Sequence, residues 1–435
     1  MKKLIIIFMG LLMCNLGFAQ NNDSKDNEFS MSGQLRPRAE YRDGYATPHA
    51  DGAQPAGFVT NRARISMDYK RDNKLELCFS AQQVGVWGQD PEIARSGRMM
   101  LNEAWANLNL GSGFFMKLGR QALAYDDERI LGALDWNVAG RYHDAAKLGY
   151  ENKENKLHAV LAFNQNDENV IGNYYTQGAA GVSQPYKTMQ MLWYQHIDSK
   201  IFNISFLLMN VGLETGDAAA KVSNVQYMQT FGTNLSFQPS DFQFYGTFYY
   251  QTGKTIVTNP LKDVSAYMWS LNAAYLFNPA WKINIGSDYL SGNDGKDPSK
   301  FKAFNPLYGT HHKFYGTMDY FDTGAPSALF NQGLWDNQLG LTFKASPKVN
   351  LSLVYHNFST TTDLTVNEKQ RRALGSEWDF QLGWNVMKDV GLIGGFSSFF
   401  GNDVLKSIKG GDPSKMQSWM WVSLNINPKV FISKW

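Results

Sequence analysis

The stretch FSMSGQLRPRAEYR, residues 29–42, decides the fold. Its odd positions read Phe29, Met31, Gly33, Leu35, Pro37, Ala39 and Tyr41, and its even positions read Ser30, Ser32, Gln34, Arg36, Arg38, Glu40 and Arg42. Period two is the spacing at which an extended chain sends successive side chains to opposite faces. One face therefore suits lipid and the other water. The pattern returns over residues 59–70, where Val59, Ala63, Ile65, Met67 and Tyr69 oppose Thr60, Arg62, Arg64, Ser66, Asp68 and Lys70; Asn61 is the one misfit.

Continued along the chain, the same reading starts strands near Phe29, Phe58, Leu75, Met100, Phe114, His143, Leu157, Lys187, Ile201, Val225, Phe242, Ala266, Trp281, Asp336, Val349, Ser376, Val390 and Met416. These are eighteen, an even number, as in bacterial barrels whose two ends return to the same side. The connectors alternate in length. Short ones span 71–74, 111–113, 151–156, 197–200, 238–241, 278–280, 346–348 and 387–389. Long ones span 43–57, 88–99, 124–142, 165–186, 211–224, 253–265, 292–335, 359–375 and 401–415. A soluble β-sandwich has no reason to keep that alternation. The fold expected is all-β, a transmembrane antiparallel up-and-down β-barrel of about 18 strands over residues 29–435, with short periplasmic turns and long exterior loops.

Composition agrees. Aromatics make up 14% of the chain, there are 39 glycines, and the longest apolar run after residue 19, at 201–209, is broken by Asn203 and Ser205. A membrane-spanning helix needs ~20 apolar residues, so helical membrane folds are excluded. Tyr69, Tyr150, Phe237, Phe242, Phe277, Trp281, Phe343 and Trp384 gather beside the short turns, where rings with an apolar body favour the headgroup level.

Residues 1–19 join Lys2 and Lys3 to an apolar run and the small-residue site Gly17, Phe18, Ala19, the layout of a secretory signal cleaved after Ala19. Lipidation at Cys14 is disfavoured by Met13 before it. Residues 20–28 form a polar, flexible lead. Cleavage removes two of 41 basic residues and none of the 39 acidic ones, which balances the charges. That balance argues against nucleic acid as a partner. Only Cys78 then remains, so no intrachain disulfide can form. Outer-membrane lipid and, during biogenesis, the barrel assembly machinery are the expected partners; Trp435 could serve as the terminal aromatic, although Pro428 would interrupt the last ladder.

Two segments resemble the alginate-export porin family: GRQALAYDDERILGALDWNVAGRYHDAAKLGY at 119–150, and FNPLYGTHHKFYGTMDYF at 304–321 preceded by Ser291, Gly292, Asn293 and Asp294. The resemblance implies an outer-membrane channel whose arginine-lined pore passes an anionic uronic-acid polysaccharide by passive diffusion. Carried over residue by residue, it points to Arg36, Arg38, Arg62, Arg64, Arg120, Arg129 and Arg141. Alternation independently sends the first four inward on neighbouring strands about 4.8 Å apart, and rings of arginine are how pores favour anions. Arg120 joins them only if the register changes at Gly119, because Phe114, Met116 and Leu118 face lipid.

Two alternatives stay open. The arginines could pair with Asp68, Glu76, Glu103, Asp144, Asp288, Glu377 and Asp379 and merely complete the wall. The channel could also be a general or small-solute porin without polysaccharide specificity. The connector 292–335 is too long for a plain hairpin and is expected to fold into the channel or be disordered; Phe304, Tyr308, Phe314, Tyr315, Tyr320 and Phe321 favour order. His311 and His312 do not make a metal site, since adjacent residues on an extended segment point apart and no third ligand is evident. No cofactor is implied. Nothing suggests an enzyme, because His49, His143, His158, His196 and His356 lie in no nucleophile or metalloprotease motif.

Overall fold

The computed structural model describes residues 27–90, 99–175, 186–199, 201–255, 261–321 and 330–435. The signal stretch 1–19 and the lead as far as residue 26 lie outside them. In chain order the strands are β1 (Glu28–Asp43), β2 (Ala56–Arg71), β3 (Leu75–Val86), β4 (Met99–Gly111), β5 (Phe114–Gln121), β6 (His143–Glu151), β7 (Asn155–Phe163), β8 (Thr188–Asp198), β9 (Phe202–Glu214) and β10 (Val225–Phe237). They continue as β11 (Phe242–Lys254), β12 (Asp263–Asn278), β13 (Trp281–Leu290), β14 (Lys300–Phe301), β15 (Leu334–Ser346), β16 (Val349–Val366), β17 (Lys369–Met387), β18 (Val390–Gly401), β19 (Gln417–Ile426) and β20 (Lys429–Lys434).

Each strand of the wall pairs antiparallel with its neighbour in sequence, and β19 returns to β1, setting Arg38 opposite Ser423 and Arg42 opposite Trp419. Eighteen strands thus close the sheet; β14 is a short rung on β12 inside a loop, and β20 continues β19. Closure is what lipid demands. An open edge would leave backbone N–H and C=O groups in hydrocarbon, at a cost of several kcal/mol each.

The packing is inverted relative to a soluble protein. Outward positions are apolar and exposed, such as Leu35 at 44%, Ile285 at 63% and Leu271 at 61%, while inward positions such as Arg62, Gln82, Gln251, Asp288 and Asp336 are buried. Register follows the hydrophobic pattern: Leu35 faces Ala63, Gly33 faces Ile65 and Met31 faces Met67, so both strands turn one face outward together. Near the short turns Trp281 stacks on Phe343 at 4.3 Å, Phe242 meets Tyr275 at 4.7 Å, and Phe114 meets Tyr150 at 4.8 Å. The buried apolar cluster lies within the barrel, where inward side chains of the strands such as Met209, Met268 and Trp419 meet two connectors that fold inward.

Two details differ from the sequence reading. The connector expected at 359–375 is largely strand, because β16 and β17 extend to a two-residue turn at Asn367 and Glu368, both with positive φ. Its threonines are β-branched and tolerate an extended backbone as well as a loop, so polarity alone misleads there. The ladder loosens between Ser359 and Leu364 before it resumes. At the other end, β19 ends at Ile426 and Pro428 interrupts the ladder as expected, but the chain goes on beyond it as β20. The proline's missing N–H falls at a register shift opposite Met31 and Ser32, its carbonyl accepts from the Gly33 N–H, and pairing resumes to set Lys434 opposite Glu28.

Candidate functional site

The inner face of β1 and β2 carries Arg36, Arg38, Arg42, Arg62 and Arg64, placed there by the same alternation that sends Leu35 and Ile65 outward. The connector between β5 and β6 turns into the barrel and offers acceptors to this patch. Arg36 and Arg62 both pair with Asp135, at 2.9 and 2.6 Å. Arg62, fully buried, also donates to the carbonyls of Val138 at 2.6 Å and Asn137 at 2.7 Å. Arg38 donates to Glu40 at 2.8 Å and to the Trp136 carbonyl at 2.8 Å, and its guanidinium lies 3.9 Å over the Trp136 ring. Glu40 also takes Arg42 and the Trp419 indole N–H. Arg64 reaches no carboxylate among the described residues; it is held by Gln82 at 2.8 Å and the Tyr142 hydroxyl at 3.0 Å.

Desolvation pushes the Asp135 carboxyl up, yet Arg36 and Arg62 outweigh it and hold the group below the ordinary aspartate range. The clamp is therefore anionic on the loop and cationic on the wall at any pH near neutral.

Arg129 sits deeper and holds a different set. It pairs with Asp127 of its own loop at 2.8 Å and with Asp288 on β13 at 2.9 Å, and donates to Ser270 on β12 and the Tyr315 hydroxyl. Its guanidinium lies 3.9 Å over the Phe314 ring. Burial disfavours its charge, but Asp288, Tyr315 and Asp127 together raise its pKa above the ordinary arginine value, so it stays ionised. Arg141 donates to the Gly309 carbonyl at 2.7 Å. Both arginines therefore join the first inward loop to the second, the connector between β13 and β15.

That second loop folds inward, as its aromatics imply. Phe304, Tyr308, Tyr315, Tyr320 and Phe321 are buried, and Thr317 and the Met318 N–H bond to Asp379 and Glu377 on the β17 wall. Across the two loops the Tyr308 N–H donates to the Ile130 carbonyl, and the Tyr308 carbonyl accepts from the Gly132 N–H. His312 bonds to Asp319 at 2.6 Å and stacks on Trp136 at 4.2 Å, while His311 contacts the Pro306 carbonyl. Residues 322–329 of this connector lie outside the described residues.

Arg120 departs from a pore-lining position. Gly119 does take a positive φ of 116°, and a Cβ there would lie 2.3 Å from the Ala104 carbonyl. The pairing nevertheless passes through it without a slip: Lys117 faces Lys147, Gly119 faces Ala145, and Arg120 faces Asp144. A register change would have needed an extra residue, and none is inserted. Arg120 therefore shares the outer face with Leu118 and pairs with Asp144 at 3.2 Å.

Alternation also places two inward lysines, Lys117 on β5 and Lys147 on β6, that the arginine pattern passed over. Lys117 lies 3.5 Å over the Trp105 ring, and Lys147 is 5.7 Å from the Phe115 ring centre. The signal was available, since Phe114 and Leu118 outward oblige Lys117 inward.

A closed antiparallel barrel with an apolar outer band and two inward loops that narrow a polar interior defines an outer-membrane channel of the porin kind. The alginate export family matches residues 27–406, and the chain belongs to that family. Among solved structures, its fold resembles OpdO of Pseudomonas aeruginosa, at 12% identity over 93% of this chain and 98% of that one with a TM-score of 0.62. It also resembles OccAB1 of Acinetobacter baumannii, at 13% identity over 93% and 97% with a TM-score of 0.60. A BenF-like porin from Pseudomonas fluorescens Pf-5 is similar too, at 13% identity over 92% and 99% with a TM-score of 0.60. No curated protein matches the sequence.

Proposed function

We propose that this channel passes acidic, carboxylate-bearing saccharides by passive diffusion, with anion preference set by the arginine wall. One observation carries the reading. Among the described residues, the five guanidinium groups on the inner face of β1 and β2 share only Glu40 and Asp135 as carboxylate partners, and Arg64 has none. The patch clamps the loop and still leaves an excess of positive charge facing the interior. Arginine keeps its proton across ordinary pH, so the preference does as well. The family's description, alginate export, names a polyuronate and fits that sign.

The test is a reversal potential in a planar bilayer. The Debye length is about 8 to 10 Å at moderate salt, comparable with a pore radius, so wall charge reaches a permeating ion. Arg64→Gln removes charge while sparing every contact to Asp135, and should move the reversal potential toward cations, more at low salt than at high. An unaltered channel that prefers cations at low salt overturns the reading. A small-solute porin is the rival, favoured by the two loops that fill space a polymer would have to thread. Oligouronates that permeate or block, beside neutral oligosaccharides that do neither, decide between them.

Export through a signal of residues 1–19 and insertion by the barrel assembly machinery, with Trp435 as the aromatic it reads, complete the reading. N-terminal sequencing of the mature chain should begin at Gln20; a start at Cys14 would mean a lipoprotein instead.

A further inference from the structure

Most inward cations of this barrel are committed. Arg36, Arg38, Arg62 and Arg129 each have a carboxylate partner, and so does the buried Lys187, which pairs with Glu214. Lys117 and Lys147 are different. They are direct cross-strand partners on the inner face, a position where like charges repel. Among the described residues neither ammonium has a carboxylate within ion-pair distance.

The neighbouring acids are engaged elsewhere. Glu103 accepts from the Trp105 indole N–H at 3.2 Å and the Ala122 N–H at 3.3 Å. Glu151 holds His158 at 2.9 Å, with Lys156 at 3.9 Å. Repulsion between two adjacent lysines is a standing cost that a bound dianion, or two carboxylates on one chain, would relieve.

The surroundings suit a sugar. The Phe115 ring packs against Gly149, where a Cβ would meet its Cε1 and Cζ at 2.2 Å. From it a run of rings continues along the inner wall, Phe115 to His158 at 5.6 Å and His158 to Trp193 at 5.1 Å, and passes to Tyr125 of the inward loop at 5.0 Å. Trp105 stands on the other side of Lys117. Lys117, Lys147, Trp105 and Phe115 all remain partly exposed. The site lies a few rungs, roughly 10 Å along the strand, from the girdle pair Phe114 and Tyr150. It is therefore at the short-turn end, on the periplasmic side of the inward loops.

We propose that Lys117 and Lys147, with Trp105 and Phe115, form a docking subsite for the carboxylates of a uronate chain at the periplasmic mouth of the channel, an inference that rests on the acidic-saccharide reading above. The ammonium pair takes carboxylate oxygens while the rings take the apolar faces of the sugars. A chain held there is aligned with the passage before it meets the loops.

The experiment is single-channel block by a uronate oligomer, added to each side in turn, with a neutral oligosaccharide of equal length as the second probe. The unaltered channel should be blocked by the uronate more strongly from the short-turn side and hardly by the neutral sugar. In the double variant Lys117→Gln, Lys147→Gln the half-blocking concentration should rise at least about ten-fold, the loss of one charge-assisted contact. The double variant Lys117→Arg, Lys147→Arg should keep the block, which shows that the wall tolerates change there. Undiminished block in the glutamine variant overturns the subsite and leaves the anion-preferring channel standing. Equal block by the neutral sugar overturns the carboxylate role, and no block of the unaltered channel by the uronate overturns the subsite outright.

Discussion

Arg62→Ala is expected to free the loop between β5 and β6 and to raise single-channel conductance, with frequent excursions to larger levels. The fully buried guanidinium is bound by Asp135 and by the carbonyls of Val138 and Asn137. Losing such charge-assisted bonds costs on the order of 3 kcal/mol, and that moves the equilibrium between docked and released loop by roughly a hundred-fold. The strand ladder of β2 does not depend on this side chain, so the barrel itself should persist. Bilayer recordings identical to those of the unaltered protein would refute the clamp. The same recordings give the pH dependence. Because the Asp135 carboxyl is held below its ordinary range, its contribution is present above that range and lost only as pH falls through the lowered value. Conductance of the unaltered channel should stay level from pH 8 to about 4, the ordinary aspartate value, and rise below it.

Arg129→Met should loosen both inward loops at once. It strands Asp288, which is fully buried, without the cation that now sits 2.9 Å away. It also removes the donor shared by Ser270 and Tyr315. Breaking a buried pair from one side costs about 3 to 5 kcal/mol, mostly the uncompensated charge. Limited proteolysis should then cut both residues 122–142 and residues 303–321, while the unheated protein keeps the gel mobility of a folded barrel. Adding Asp288→Asn should restore part of the protection, because the stranded charge disappears. Protection of the second loop unchanged in Arg129→Met would show that the two loops are anchored independently.

Strand placement was legible because lipid imposes the same rule on every strand. Phe29 to Tyr41 outward and Ser30 to Arg42 inward is a pattern that nothing but a two-faced sheet explains, and the short turns mark where it resets. What lay beyond reach was which partner each inward charge would find. Alternation puts Arg36 and Arg62 inside but is silent on Asp135, which arrives from a connector about a hundred residues along. Acidic wall residues looked like the natural partners, and Asp288 does serve Arg129. For Arg36 and Arg62 it is instead a loop carboxylate and loop carbonyls that answer, while Arg38 and Arg42 turn to Glu40 of their own strand. Arg120 shows the opposite lesson: strict alternation places it outward, and only the family resemblance, on condition of a register change at Gly119, points it into the pore. The charge is accommodated by Asp144 on the same face. Extended hairpins such as that of β16 and β17 escape a polarity reading because beyond the membrane both faces meet water and the period-two signal fades.

The seam between β1 and the pair β19 and β20 has a consequence in time. Gln34 and Asn425, 391 residues apart in the chain, bond across it at 2.9 Å, and the Asn27 and Trp435 backbones exchange N–H and C=O bonds beyond it. Until that far segment arrives, β1 waits with one raw edge and the growing sheet ends in another. Every shorter intermediate is an open ribbon that can pair with a second copy as readily as with itself. Contacts of such separation close slowly. The molecule therefore has no folded half: it must be kept apart from its siblings until its two ends meet, and completing the ring is the event that ends its vulnerability.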